Sequence, residues 1–258
     1  MSITVENLSF GYGAHRVLDG VSFTVEDGQL LSVLGPNGVG KSTLFRCMLG
    51  LLNGYTGRIT IDGTDVHKLS ARELAHHMAY IPQSHAQSFN YTVLDMVLMG
   101  TAHQMAQFSL PGKKQMEAAQ LALYQMGIEP LAHKGFRCLS GGEQQLVLIA
   151  RALAQQVKIF VMDEPTANLD YGNQTRVLEQ VKRLTMEGYT ILLSTHNPQH
   201  ALTYSDAILA LSCGRVAAFG LPETMDESLI KCLYGMNVQF LNTQAGRLII
   251  PQSDRRCV

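Results

Sequence analysis

The sequence predicts an α/β protein: a mostly parallel sheet bearing a phosphate-binding loop, an antiparallel β region ahead of it, and a helical lobe inserted into it. Three observations predict this. Short apolar runs (LLSVL, KIFVMDEP, YTILLST and AILALS) alternate with helical patterns, as buried strands of a parallel sheet do. The stretch GPNGVGKS directly follows the first of those runs and leads into a helix. Residues 88–156 read almost entirely as helix.

Taken in order, residues 2–30 hold two alternating runs, ITVENLSF and VSFTVED, broken by the turn-like GYGAHR and by Asp27-Gly28, which predicts an antiparallel hairpin. LLSVL is then a buried strand, and STLFRCMLGLL behind the glycine loop is a helix. SARE, from Ser70 to Glu73, has capping-box spacing and opens a helix expected to run to about Met78, where MAYIP forms a strand ended by Pro82. TVLDMVLMG, KKQMEAAQLALYQMG ending at Gly127, and GEQQLVLIARALAQ supply the helical lobe. Strand and helix alternation then resumes, with helices expected near 172–187 and 198–204. The tail shows a helical pattern near 223–234 and two strand candidates, VQFL and RLII. One unit, 1–258, is expected, with a core of 1–87 and 157–220, a helical subdomain of 88–156 and a C-terminal extension of 221–258.

A chain of 258 residues, 46% hydrophobic, can bury a substantial core. A net charge of −1 supplies no basic field of the kind that phosphate neutralisation on nucleic acid requires, so no nucleic-acid partner is expected. The five cysteines (Cys47, Cys138, Cys213, Cys232, Cys257) form no CxxC pair and read as reduced thiols. The first residues lack the charged start and apolar run of a signal peptide, and no window reaches the ~18 apolar residues of a membrane helix. A role at a membrane would therefore be exercised by docking onto other chains.

GPNGVGKS fits the phosphate-loop pattern at Gly35, Pro36, Asn37, Gly38, Val39, Gly40, Lys41 and Ser42, with Thr43 following in the helix. Glycines let backbone N–H groups turn inward on the α and β phosphates, and the helix N-terminus adds partial positive charge. Lys41 is expected to reach the β and γ phosphates and the Ser42 hydroxyl to ligate Mg²⁺. IFVMDE places two carboxylates where a strand emerges: Asp163 for the metal, and Glu164, not spent on it, to polarise the water attacking the γ phosphate. A second polar, glycine-bearing stretch, LSGGEQQ at 139–145, opens another helix, near Glu143, whose N–H groups and dipole also suit an anion.

Phosphate loop, YIPQ with Gln83, LSGGEQQ, VMDEP, ANLD and STH with His196, in that order and spacing, resemble the ATP-binding cassette (ABC) ATPase family over nearly the whole chain. LSGGE is highly specific to it. The resemblance implies a P-loop NTPase (RecA-like) core binding ATP and Mg²⁺. Tyr12 would stack on adenine, though it also reads as an ordinary strand-end tyrosine. Gln83 would touch Mg²⁺ or the attacking water and report nucleotide state to the helical lobe. His196 would hold the γ phosphate and the water. Ser140, Gly141 and Gly142 would cap ATP bound by a second copy, so that two head-to-tail chains enclose two nucleotides, with Asp170 coupling the two sites. Many members carry basic residues where this chain has Gln144 and Leu146, and ANLD replaces a commoner Ser-Ala-Leu-Asp while keeping Asp170.

Three function classes meet these motifs: the ATPase subunit of a transporter, a soluble ABC protein acting on ribosomes or DNA, and a nucleotide-gated assembly scaffold. A single cassette without a coiled-coil insertion, and near-neutral charge, disfavour the second. Separate ATPase chains are typical of importers. LSARELAHHMAYIPQ with TVLDMVLMG, and the ending YGMNVQFLN…GRLIIP, resemble the subfamily importing iron siderophores, haem and cobalamin, with molybdate-type relatives close by. The implied partners are a second ATPase copy, two integral membrane permease subunits and, indirectly, a periplasmic or lipoprotein solute-binding protein, which would place the chain on the cytoplasmic face of the membrane. Met96, Met99 and Met105 read first as core filler and second as the lining of a permease-docking groove. The scattered histidines, among them His76, His77, His85 and His103, read as packing or surface residues, and Arg255 and Arg256 as a solvated tail.

Overall fold

The computed structural model describes residues 2–83, 90–105, 109–244 and 246–252. His85, Cys257, Arg255 and Arg256 lie outside the described residues. Strands β1 (Ile3–Tyr12) and β2 (His15–Val25) form the expected hairpin. β4 (Thr56–Ile61) pairs with the other edge of β1 and carries the short β5 (Thr64–Asp65), so the antiparallel sheet has the order β2-β1-β4-β5 and reaches well past residue 30. Its inner residues, Ile3, Val5, Leu18, Val21, Val25, Ile59 and Ile61, pack over α1 (Lys41–Met48) and one face of the second sheet.

That second sheet has the order β10-β9-β3-β8-β7-β6, built from β3 (Leu30–Leu34), β6 (Met78–Ile81), β7 (Ile159–Met162), β8 (Thr190–Thr195), β9 (Ala207–Ser212) and β10 (Arg215–Gly220). The five strands from β9 to β6 are mutually parallel, and β10 closes the edge antiparallel to β9. Every residue of β3, β7 and β8 is buried, as strands covered on both faces must be. Phe160 at the centre of β7 is fully buried; truncating such a residue to Ala costs about 3–5 kcal/mol.

The other face carries the helices. The Ser70 capping box is present, but its helix, α2 (Ala71–Leu74), is a single turn rather than a run to Met78. Leu74 anchors it in the core, and His76 and His77 close tightened turns onto Glu73 and Leu74 before β6 begins. α3 (Val93–Leu98) is likewise capped, by Thr92 with Asp95, and tightens into a 3₁₀ segment, Met99–Gln104. α4 (Lys113–Met126) ends at Gly127 with φ 64°, the left-handed cap that glycine permits. α5 (Gly141–Ala154) starts at Gly141, two residues earlier than expected, because Ser140 is the N-cap. α3, α4 and α5 share one core with α6 (Tyr171–Met186) and with Phe160, Met162, Ile191 and Leu193 of the sheet, whereas Leu74 of α2 packs in the core on the α1 side.

After α7 (Pro198–Tyr204), the tail breaks its expected helix in two. A 3₁₀ turn at Pro222–Thr224 precedes α8 (Glu227–Tyr234), because Asp226 caps the latter and Met225 between them is buried. β11 (Val238–Thr243) and β12 (Gly246–Pro251) pair antiparallel. Gln199 of α7 holds this hairpin, donating to the Arg247 carbonyl at 3.1 Å and accepting from the Ile249 N–H at 2.9 Å. No helix among the described residues is long and apolar enough to cross a membrane.

Candidate functional site

Parallel pairing decides where the site lies. β3, β8, β7 and β6 are consecutive neighbours running in one direction, so their C-terminal ends share one edge of the sheet. Off those four ends come, respectively, the 35–42 loop, His196, Asp163 with Glu164, and Gln83. Residues far apart in sequence thereby meet in a row.

The loop wraps the start of α1. Gly38 and Gly40 are left-handed, φ 81° and 112°, and a side chain on Gly35 would press to 2.7 Å from the Leu211 carbonyl oxygen. Gly40 is the N-cap and offers no side-chain acceptor, so the first N–H groups of α1 are left for a ligand. Lys41 is 5% exposed; its Nζ donates to the carbonyls of Gly35 at 2.8 Å and Pro36 at 3.1 Å, and lies 3.2 Å from Glu164 Oε1. Tyr12, Asn37, Gly38, Gly40, Lys41, Ser42, Thr43, Gln83 and Glu164 line a common cleft of about 450 Å³. Pro36 and Val39 sit half-buried on the loop, and Tyr12 stands 48% exposed at the end of β1, edge-on to Phe10 at 5.0 Å.

Glu164 is the hub. Its carboxylate receives Lys41, accepts from Gln83 Nε2 at 3.4 Å, and meets His196 Nδ1 at 3.1 Å, while only 9% of the residue is exposed. Its backbone is left-handed, φ 45°, a conformation that costs a non-glycine residue about 1–3 kcal/mol and persists where surrounding structure holds it. What holds it has no signal of its own in the sequence: Ser194, fully buried on β8, accepts from the Glu164 N–H at 2.9 Å and donates to Asp163 Oδ1 at 2.6 Å. Asp163 is itself buried and close to Tyr80, whose phenol is pushed up by burial and then by that carboxylate. Behind His196 a small recess of about 90 Å³ is lined in part by Asn168, Gln174 and His200. Burial first and His196 second lower the His200 pKa.

The 139–145 stretch is elsewhere. Ser140, Gly141 and Gly142 are absent from the residues lining the cleft that holds Lys41. Ser140 N-caps α5 and is closed by a capping box: its hydroxyl and N–H both donate to Glu143 Oε2 at 2.8 Å, and Glu143 N–H returns to Ser140 Oγ at 3.3 Å. These bonds, the backbone one foremost, hold the Glu143 carboxyl below the usual carboxylate range. Gln144 folds back to the Leu139 carbonyl at 3.1 Å and Leu146 is buried in the core, so neither replaces a phosphate contact. Asp170 N-caps α6, accepting from Asn173 N–H at 2.8 Å and Asn173 Nδ2 at 2.7 Å, and the Asn173 N–H is the main cause of its lowered pKa. Asn173 also packs on Gly142, which joins the two motifs within one chain.

Of the methionines expected near a docking groove, Met96 is buried in the core and cannot line an open surface. Met99 is exposed, and Met105 is half-buried with its carbonyl accepting from Arg72. Cys47 is buried and its thiol is pushed up to about 12, which makes it inert.

Comparison with known proteins agrees with this geometry. The family model described as "ABC transporter" matches residues 18–167. A Haemophilus influenzae ABC transporter ATP-binding protein is 43% identical over 82% of this chain and 80% of its own length. The hemin import ATP-binding protein HmuV of Myxococcus xanthus is 33% identical over 98% and 97%. A solved structure of a metal-chelate type ABC transporter in an inward-facing conformation superposes with a TM-score of 0.87 at 30% identity, covering 98% of this chain and 97% of that one. The chain therefore belongs to the ABC transporter family, as one of its ATP-binding, ATP-hydrolysing proteins.

Proposed function

We propose that this chain energises a membrane importer for an iron siderophore, haem, cobalamin or a related metal complex or oxyanion such as molybdate. The hemin import relative and the metal-chelate type structure support that substrate range, and both are transport proteins, which favours an importer over a soluble assembly scaffold. ATP is bound in the cleft over residues 35–42, with Tyr12 against the base and the N–H groups of the loop and of Thr43 against the phosphates.

The observation that carries the chemistry is the convergence of Lys41, Gln83 and His196 on Glu164. Glu164 acts as the base: a water oxygen forms a bond to the γ phosphorus, the bond to the bridging oxygen breaks to release ADP, and the water proton passes to Glu164. His196 and Gln83 position that water, and Lys41 bears on the β and γ phosphates. Ser42, Gln83 and Asp163 offer hydroxyl, amide and carboxylate oxygens, a hard donor set that fits Mg²⁺. Mg²⁺, when bound, neutralises charge on the phosphates.

A homodimer completes the site. Ser140, Gly141 and Gly142 lie off the chain's own cleft, and the role they fit is to close over the partner's γ phosphate, with Asp170 coupling the two sites. Exposed Met99 with Met105 offers a contact for one of two permease subunits, with the solute-binding protein beyond the membrane and this chain on its cytoplasmic face. ATP closes the dimer and hydrolysis reopens it. Glu164→Gln is expected to keep ATP binding, lose at least about 100-fold in turnover and accumulate closed dimer on a sizing column with ATP. Normal turnover in that variant would remove Glu164 as the base.

A further inference from the structure

The two carboxylates of the site depend on one side chain that the chemistry itself leaves unused. The backbone ladder between β7 and β8 ends at Met162↔Leu193. One residue further on, the strands meet through a side chain instead. Ser194 is fully buried, and its hydroxyl has two partners of opposite kind: Asp163 Oδ1 at 2.6 Å and the Glu164 N–H at 2.9 Å. The Glu164 N–H can only donate, so the hydroxyl proton is committed to Asp163. Both ends of the group are thereby fixed.

We propose that Ser194 is a positioning residue for ATP hydrolysis, holding Asp163 in its metal-binding orientation and locking the 163–164 peptide so that Glu164 points into the cleft. The inference rests on the reading of Asp163 and Glu164 given above. The physical reasons are two. Asp163 presents two oxygens, and the bond from Ser194 assigns one of them, leaving the other orientation-fixed for the metal. Glu164 sits in a left-handed conformation that no helix or strand bond supports, and the hydroxyl satisfies its buried N–H there. An alanine at 194 removes one oxygen atom and leaves both groups without that partner. A threonine keeps the hydroxyl.

The test uses the full-length chain with a fluorescent trinitrophenyl derivative of ATP, titrated with and without Mg²⁺, and with Mn²⁺ followed by electron paramagnetic resonance. Ser194→Ala is expected to bind the nucleotide without metal as the wild type does. It should need about 10- to 100-fold more Mg²⁺ or Mn²⁺ for the metal-dependent part of binding, with kcat falling by a similar factor. Ser194→Thr should return most of both. Thermal unfolding midpoints run alongside. An unchanged metal dependence and kcat in Ser194→Ala would overturn the proposal, and so would an unfolded variant or an equal loss of metal-free and metal-dependent binding, which mark a purely structural role. A Ser194→Thr variant as impaired as Ser194→Ala would also count against it. Wild-type chain that shows no metal-dependent nucleotide binding would instead break the reading of the cleft.

Discussion

Two helix N-termini in this chain suit anions, and they are finished in opposite ways. At α1 the N-cap is Gly40, which carries no acceptor, and the first turn contains no acidic residue. At α5 the N-cap is Ser140, its hydroxyl and N–H both turned onto Glu143, a carboxylate standing within the first turn. The first end is open, its ammonium group supplied by Lys41 of the same chain and its partner Glu164 across the cleft. The second satisfies part of its own need through Glu143, and leaves Ser140 and Gly141 exposed to solvent. An end that is stable unliganded can wait for a nucleotide held by another molecule, whereas an open end needs its own.

The sharpest way to break this comparison is to damage one end in each of two chains. Lys41→Ala and Ser140→Ala subunits should each be inactive alone. When mixed, half the dimers pair one of each, and such a dimer has one site with an intact loop and an intact signature. Turnover near roughly a quarter of the wild type is then expected from the symmetry of a head-to-tail pair. A steady-state phosphate-release assay decides it; no gain over either variant alone would mean that the signature serves its own chain or none.

Glycines separate the ends a second time. A side chain on Gly38 would meet nothing within 4 Å, so that residue is there for its left-handed φ of 81°. A side chain on Gly142 would stand 2.2 Å from Asn173 Oδ1 and 2.9 Å from its Cβ, so that residue is there for closeness. Gly142→Ala must push Asn173 off Asp170, and is expected to destabilise the chain by about 1–3 kcal/mol. Gly38→Ala should cost about 1 kcal/mol through backbone strain alone. Thermal melts of the two variants compare them, and a Gly142→Ala variant as stable as the wild type would remove the packing account.

The same contrast explains how much of the molecule could be read from residues alone. The parallel strands were legible because burial on both faces makes LLSVL, IFVM and TILLST continuously apolar. The capping box at Ser70 was legible because it is local, spanning three residues. β4 and β10 were missed: TGRITI, flanked on one side only by the two-residue β5, and RVAAFG, an edge strand, are half-exposed, and their partners lie far away in sequence or across a turn. Each catalytic candidate was legible as a motif. Ser194 was not, because its role exists only once β8 lies beside β7, and nothing in LLSTH distinguishes that serine from any other strand residue. Asn173 is hidden for the same reason, joining Gly142 to Asp170 across two helices.

The smallest expected effect tests the capping carboxylate itself. Glu143 has a folded-state pKa below its unfolded value, through the Ser140 N–H first and hydroxyl second. A depressed carboxylate contributes stability that is fully present above its unfolded pKa, about 4.3, and lost as pH falls through the folded value. Glu143→Gln keeps an amide that can accept the same N–H but removes the charge at the helix N-terminus. Partly exposed at the helix start, that charge contributes only a few tenths of a kcal/mol after screening, about 0.3–0.5. The wild type should therefore exceed Glu143→Gln by this amount at neutral pH, and the gap should close as the pH drops below the carboxylate range. No such closing is expected from the α1 end, where the first turn carries no acid to titrate. Denaturant titrations of both chains at neutral and acid pH measure the gap; one that persists unchanged in acid would mean that the Ser140 cap does not depend on the Glu143 charge, and that the two ends differ in geometry alone.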